Sequence, residues 1–186
     1  ETIFCRLTAG VWMSRSSLVW GPFSIVWGLA IAAATALLYK DREKPDRHLF
    51  IIGTVLGGAY EYICSVFTEL VFGKVFWDYS KIPFNLGGRI NLLYCFFWGI
   101  AAVIWIKNLY PLFSGWIEKI PVLWGYILTW ILAVFMAVNI AVSSMALIRY
   151  DLRAEGKPPK NSVESIIDER FDDARMEKIY PNALSR

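Results

Sequence analysis

Glu61 stands near the middle of an apolar stretch that runs from about Leu49 to Phe72. An ionised carboxylate facing lipid is costly, so such a group turns toward a helix bundle, a partner or a cavity. Two chemistries fit it. One is a proton or cation site, or a ligand anchor; the other is a structural carboxylate bonded to a neighbouring Tyr, Ser or Arg. Glu69 lies nearer the end of the same stretch, where it can reach the interface, and reads as structural. Beyond it comes the densest polar set in the apolar part of the chain: Trp77-Asp78-Tyr79-Ser80, Pro83-Phe84-Asn85 and Gly87-Gly88-Arg89-Ile90-Asn91. Asp78 and Arg89 can neutralise one another, Asn85 can bond loop backbone, and the glycines allow a tight turn and close approach. This reads as a folded loop dipping to a membrane surface, or as a capped, ion-paired connection between two spans.

Other chemistries are excluded or unsupported. A phosphate-binding loop needs a glycine-rich run closed by Lys and then Ser or Thr. Gly73-Lys74 and Gly156-Lys157 are followed by Val75 and Pro158. The single histidine, His48, sits among charges and reads as a surface residue. Cys5, Cys64 and Cys95 are far apart in sequence, and two of them lie in apolar runs, so they read as small apolar residues rather than a disulfide framework or zinc site. We therefore assign no catalytic residue, no metal and no cofactor, and we expect no enzyme.

The elements that must position these groups are membrane spans. The chain has 186 residues, of which 56% are hydrophobic and only 19% charged. A soluble domain usually holds about 45–50% apolar and about 25% charged residues. The apolar excess falls in long runs: Leu18 to Tyr39, Leu49 to Phe72, Leu92 to about Ile106, and Val122 to Ile148. Each approaches the roughly 20 residues needed to cross a bilayer as a helix. Lys107 to Pro121 reads as a short amphipathic connection. Residues 1–10 read as the end of a further span whose beginning is missing. The expected fold is an all-α, multi-pass transmembrane helical bundle of about four to five spans over residues 1–148. Residues 149–186 form a tail in which Val163, Ile166, Ile167 and Phe171 line one face of a single amphipathic helix. That helix carries more acids than bases, which suits docking on protein better than on a membrane surface.

Gly53 and Gly57 form a small-residue face suited to close helix packing and oligomerisation. The basic residues on the loop side of Arg6, Arg15, Lys81, Arg89 and Arg153 outnumber those on the side of Lys40, Arg47 and Lys107, which places the tail in the cytoplasm. With a net charge of only +3, this is a topology signal and not a nucleic-acid footprint. A weak internal repeat aligns Arg15, Leu18 and Trp27-Gly28 with Arg89, Leu92 and Trp98-Gly99.

At these motifs the sequence resembles a bacterial membrane family described as Putative ABC-transporter type IV, the CmpB-like permeases. The resemblance is carried by Arg15, Leu18, Gly21-Pro22 and Trp27-Gly28, and most closely by Glu69-Leu70-Val71-Phe72-Gly73, Trp77-Asp78-Tyr79-Ser80, Pro83-Phe84-Asn85, Gly87-Gly88-Arg89-Ile90 and Trp98-Gly99. The tail motifs Asp168-Glu169-Arg170-Phe171, Met176 and Tyr180-Pro181-Asn182 are also similar. The resemblance implies a permease subunit in the cell membrane, in contact with the lipid bilayer, working as a homo-oligomer or with a separate ATPase subunit. A second function class is a membrane-embedded regulatory or scaffold protein whose tail recruits a cytoplasmic partner. A third is a membrane enzyme acting on lipid through Glu61, Asp78 and Arg89. The functional candidates are Glu61, Glu69, Trp77, Asp78, Tyr79, Asn85, Arg89 and Asn91.

Overall fold

The protein is described here from a computed structural model, which describes Ile3, Arg6, Leu7, Gly10, Trp12, residues 14–181 and the backbone of Leu184 and Ser185; Lys74 is described by its backbone. Cys5 and most of the segment expected to end a further span lie outside the described residues. The fold is all-α, with four two-residue strands as its only sheet structure among the described residues.

Helix α1 spans Ile25–Leu38. The expected start was Leu18, and the helix begins later because Gly21 takes φ +76° and Pro22 cannot donate a backbone hydrogen bond. Its 14 residues cover about 21 Å, less than the roughly 30 Å of a hydrocarbon core. Helix α2, Asp46–Phe72, runs for 27 residues. It ends where Gly73 turns left-handed and donates its amide to the Glu69 carbonyl at 2.9 Å.

Helix α3, Leu92–Ile104, starts at Asn91, whose side chain accepts the Leu93 amide at 2.9 Å. It does not stop near Ile106 as expected. A π-turn over Trp105–Leu109 leads into α4, Tyr110–Ile117, so that Leu92–Ile117 is one helix of 26 residues. Pro111 explains the wide turn: it has no amide for the Lys107 carbonyl, and the ladder shifts so that Tyr110 donates to Trp105. Lys107 is accommodated because its ammonium reaches the Lys44 carbonyl at 2.8 Å and Asp46 at 3.6 Å.

Helix α5, Val122–Ala154, is the longest at 33 residues. Helices α2, α3–α4 and α5 are long and apolar enough to cross a membrane. In the tail, two helices replace the single one expected: α6, Ser162–Arg170, and α7, Asp173–Ile179. The break comes at Asp172, whose carboxylate caps α7 by accepting the Arg175 amide at 2.8 Å.

Two short ladders complete the fold. Strand β1, Lys74–Val75, pairs antiparallel with β4, Leu184–Ser185. Strand β2, Asn85–Leu86, pairs with β3, Ile90–Asn91. Gly87 and Gly88 turn this hairpin with φ +61° and +70°.

The chain divides into two compact units: Glu1–Ile25 with Leu128–Ala183, and Val26–Ile127 with Leu184–Arg186. In the second, α2 and α3 lie in close contact through small residues. A Cβ on Gly53 would lie 2.5 Å from that of Ala102, and one on Gly57 would run into the Trp98 side chain. The small face of α2 thus packs within the chain. Leu38, Leu49, Ala102 and Ile106 form the buried cluster beside it.

In the first unit, Asn139 on α5 clamps the non-helical backbone before α1. Its amide accepts the Trp20 N–H at 3.3 Å and donates to the Trp20 carbonyl at 2.8 Å. Ser143, one turn on, accepts the Val19 amide at 2.9 Å. Polar backbone that leaves a helix among apolar elements needs such partners. The tail motif residues Phe171, Met176 and Tyr180 are buried in this unit, and the Tyr180 hydroxyl donates to the Ser17 carbonyl at 3.0 Å. Burial raises the Tyr180 pKa to about 12.

Candidate functional site

Helical spacing puts Glu61, Ser65 and Glu69 on one face of α2 at intervals of one turn. The loop from Phe76 to Asn91 is bonded along that face. Glu61 is 7% exposed, and each of its oxygens accepts from an aromatic donor: the Tyr79 hydroxyl at 2.7 Å and the Trp98 indole at 3.0 Å. Ser65 accepts from Arg89 at 3.1 Å, and Glu69 forms an ion pair with the same guanidinium. The sequence argued for Asp78 as the partner of Arg89. The guanidinium instead reaches α2, because the tight turn at Gly87-Gly88 directs it there, and one Asp78 oxygen accepts the Ser80 amide at 2.8 Å.

The loop's other polar residues hold its own shape. The Trp77 indole donates to the Arg89 carbonyl at 2.9 Å, and the Tyr79 amide donates to the Gly88 carbonyl at 2.8 Å. Asn85 accepts the Gly88 amide at 2.9 Å and donates to the Ile82 carbonyl at 2.7 Å. Asn91 is buried; it donates to the Pro83 carbonyl at 2.6 Å while capping α3. A Cβ on Gly88 would lie 2.6 Å from an Asp78 oxygen, so that carboxylate would have to move, and φ +70° already favours glycine there.

Around Glu61 the walls are aromatic. Tyr79 stacks on Tyr94 with centroids 4.8 Å apart. Trp98 meets Trp27 at 4.7 Å and Tyr60 at 6.1 Å. Trp27 and Trp98 are one of the residue pairs matched in the repeat expected from the sequence, and their rings are in contact. The result is a carboxylate held between a hydroxyl and an indole at the middle of an apolar helix. Among the described residues no cluster of His, Cys, Asp and Glu is suited to hold a metal.

Of the sequence candidates, Glu61, Glu69, Tyr79 and Arg89 meet at the α2 face. Trp77, Asp78, Asn85 and Asn91 shape the loop that brings them there. A second charged centre was not singled out from the sequence. Arg149, 3% exposed, binds Asp168 through two contacts at 3.0 and 2.6 Å and Glu164 at 3.2 Å. Arg153 joins it, reaching Asp168 at 2.5 Å and Asp173 at 2.8 Å. The signal was two bases one helical turn apart on α5 and two acids one turn apart on α6. The Arg149 guanidinium, with desolvation opposing and Arg153 assisting, holds the Asp168 carboxyl below its usual range. Asn139 and Ser143 were also missed, although a polar pair one turn apart inside the longest apolar run was visible.

No curated protein and no solved structure matches the chain. One family does, and its match runs over residues 1–144, across α1, α2, the polar loop and α3, and ends before the tail motifs. With most of the sequence matched and three apolar helices of spanning length behind it, the chain is a membrane protein that belongs to the family described as Putative ABC-transporter type IV.

Proposed function

We propose that the chain is a multi-pass permease subunit of an ABC-type transporter in a bacterial plasma membrane, driven by a separate ATPase. The observation that carries this reading is Glu61. A buried carboxylate at mid-helix, gripped by a loop residue and by a residue of the neighbouring helix, is the kind of group that marks a transport path or proton relay in a membrane protein. In this reading the energy comes from a separate ATPase subunit, in keeping with the transporter type in the matching family's description. Among the described residues, three long helices and the short α1 are few to enclose a path, which favours more than one copy of the chain in the working complex. The tail and the Trp77–Arg89 loop face the cytoplasm in this reading.

Purification from native membranes in mild detergent tests it. An ATPase should co-purify in defined proportion, and Glu61→Gln should fold while losing ligand-dependent stabilisation or uptake. Repeated recovery of the chain without any ATPase would overturn it. One observation favours a second reading as a recruiting scaffold: Val163 and Ile166 on α6 point outward and are more than half exposed. In that case a soluble protein that is not an ATPase should co-purify and be lost when residues 155–181 are deleted.

A further inference from the structure

The tip of the polar loop has a feature that the Glu61 centre does not use. Phe84 is the one described residue other than glycine in the left-handed region, at φ +61°, and its side chain is 83% exposed. Leu86 is 63% exposed, and Ile82 also reaches the surface. An aromatic residue rarely takes this backbone conformation, and something must hold it there. The surrounding bonds do so: the Phe84 carbonyl accepts the Leu92 amide at 3.1 Å, and the two carbonyls just before it are tied down by Asn91 at Pro83 and Asn85 at Ile82. The loop is thus locked in a shape that presents apolar side chains outward.

The position of the tip says what covers them. The loop joins the end of α2 to the start of α3, both of spanning length. The bond to Leu92 places Phe84 at the head of an exposed apolar stripe on α3 that continues through Leu93, Phe96, Phe97 and Ile100. On α2 the exposed stripe ends at Leu70 and Val71, one residue before the loop side begins. The apolar tip is therefore continuous with the surfaces that meet lipid, and the exposed Lys81 stands beside it. Aromatic residues with adjacent bases are suited to the headgroup boundary.

We propose that this loop is a lipid anchor: Phe84, with Leu86 and Ile82, inserts into the boundary between headgroups and acyl chains, and so holds the polar loop against the α2 face at a set depth. The inference rests on the spanning reading above. The full chain in phosphatidylcholine vesicles tests it, with single cysteines at Phe84→Cys, Val55→Cys on the outer face of α2 and Val163→Cys on the tail, in a background with the native cysteines replaced by Ala. Each carries an environment-sensitive fluorophore. The Phe84 site should be quenched by lipid spin-labelled near the headgroup and should be several-fold less sensitive to aqueous iodide than the Val163 site. Iodide sensitivity equal to that at Val163, with Val55 protected, would overturn the anchor and leave the spanning reading standing. Iodide sensitivity at Val55 would overturn both. If the cysteine-free background does not fold, p-benzoylphenylalanine at position 84 of the native chain decides the same point: lipid adducts support the anchor, and adducts to protein or none overturn it.

Discussion

Replacing Glu61 separates its hydrogen bonds from its charge. The carboxylate has one donor on each oxygen, and the two donors differ. Indole N–H can only donate, whereas a tyrosine hydroxyl can donate or accept. In Glu61→Gln the amide oxygen must therefore face Trp98, and the amide nitrogen faces Tyr79, whose hydroxyl turns to accept. Both bonds survive, but as neutral ones. A bond to a charged group contributes about 1.5–3 kcal/mol and a neutral one about 0.5–1.5, so the Gln variant should lose about 2–3 kcal/mol over the two bonds. Glu61→Leu takes the acceptor from both half-buried donors, at up to about 1–3 kcal/mol each, or at most about 2–6 in all. Glu61→Leu with Tyr79→Phe removes one of the orphaned donors and should recover part of that loss. The assay is thermal or denaturant unfolding of purified protein in detergent, followed by tryptophan fluorescence. The order expected is native first and Leu alone last, with Gln and the Leu–Phe pair between them. A Leu variant as stable as the native chain would refute the reasoning, because a lipid-facing site would tolerate Leu best. So would a double variant less stable than Leu alone.

Four further outcomes follow from other features of the chain. Arg149→Met removes the centre of the tail's ion-pair network, leaving Asp168 to Arg153 alone, and should loosen the tail, seen as faster proteolysis of residues 155–181. Because the folded Asp168 carboxyl titrates below its unfolded value of about 3.9, its contribution is complete above that pH and is lost as pH falls through the lower, folded value; tail protection should thus fail only in strong acid, and Asp168→Asn should flatten that dependence. Gly57→Leu collides with Trp98 and should block the close α2–α3 contact, whereas Gly115→Ala meets nothing within 4 Å and should be neutral or stabilising by up to about 1 kcal/mol, both read by unfolding midpoint. Single cysteines at Lys81 and Glu169 should both resist an impermeant reagent added to intact cells, and labelling of both would reverse the proposed orientation.

The class of the protein was legible in composition alone, because about 20 consecutive apolar residues have few ways to satisfy their backbone other than a helix in lipid. The presence of α2, α3 and α5 follows from that rule, and Glu61 stood out for the same reason: a charge at mid-span is conspicuous against apolar neighbours. The bounds were less legible where backbone chemistry competes with hydropathy. Gly21-Pro22 delayed α1, and a π-turn carried α3 past Pro111 and Lys107, whose charge the run of apolar residues gave no means to place. The tertiary structure alone decided who bonds to whom. Asp78 is near Arg89 in the chain, yet the double-glycine turn sends the guanidinium to Glu69 and Ser65 on a helix some twenty residues earlier. Trp98 reaches Glu61 across 37 positions, and Asn139 reaches Trp20 across 119. Hydropathy is a property of each segment and can be read one segment at a time. A hydrogen bond depends on the relative placement of two segments, which is set only when the helices have packed.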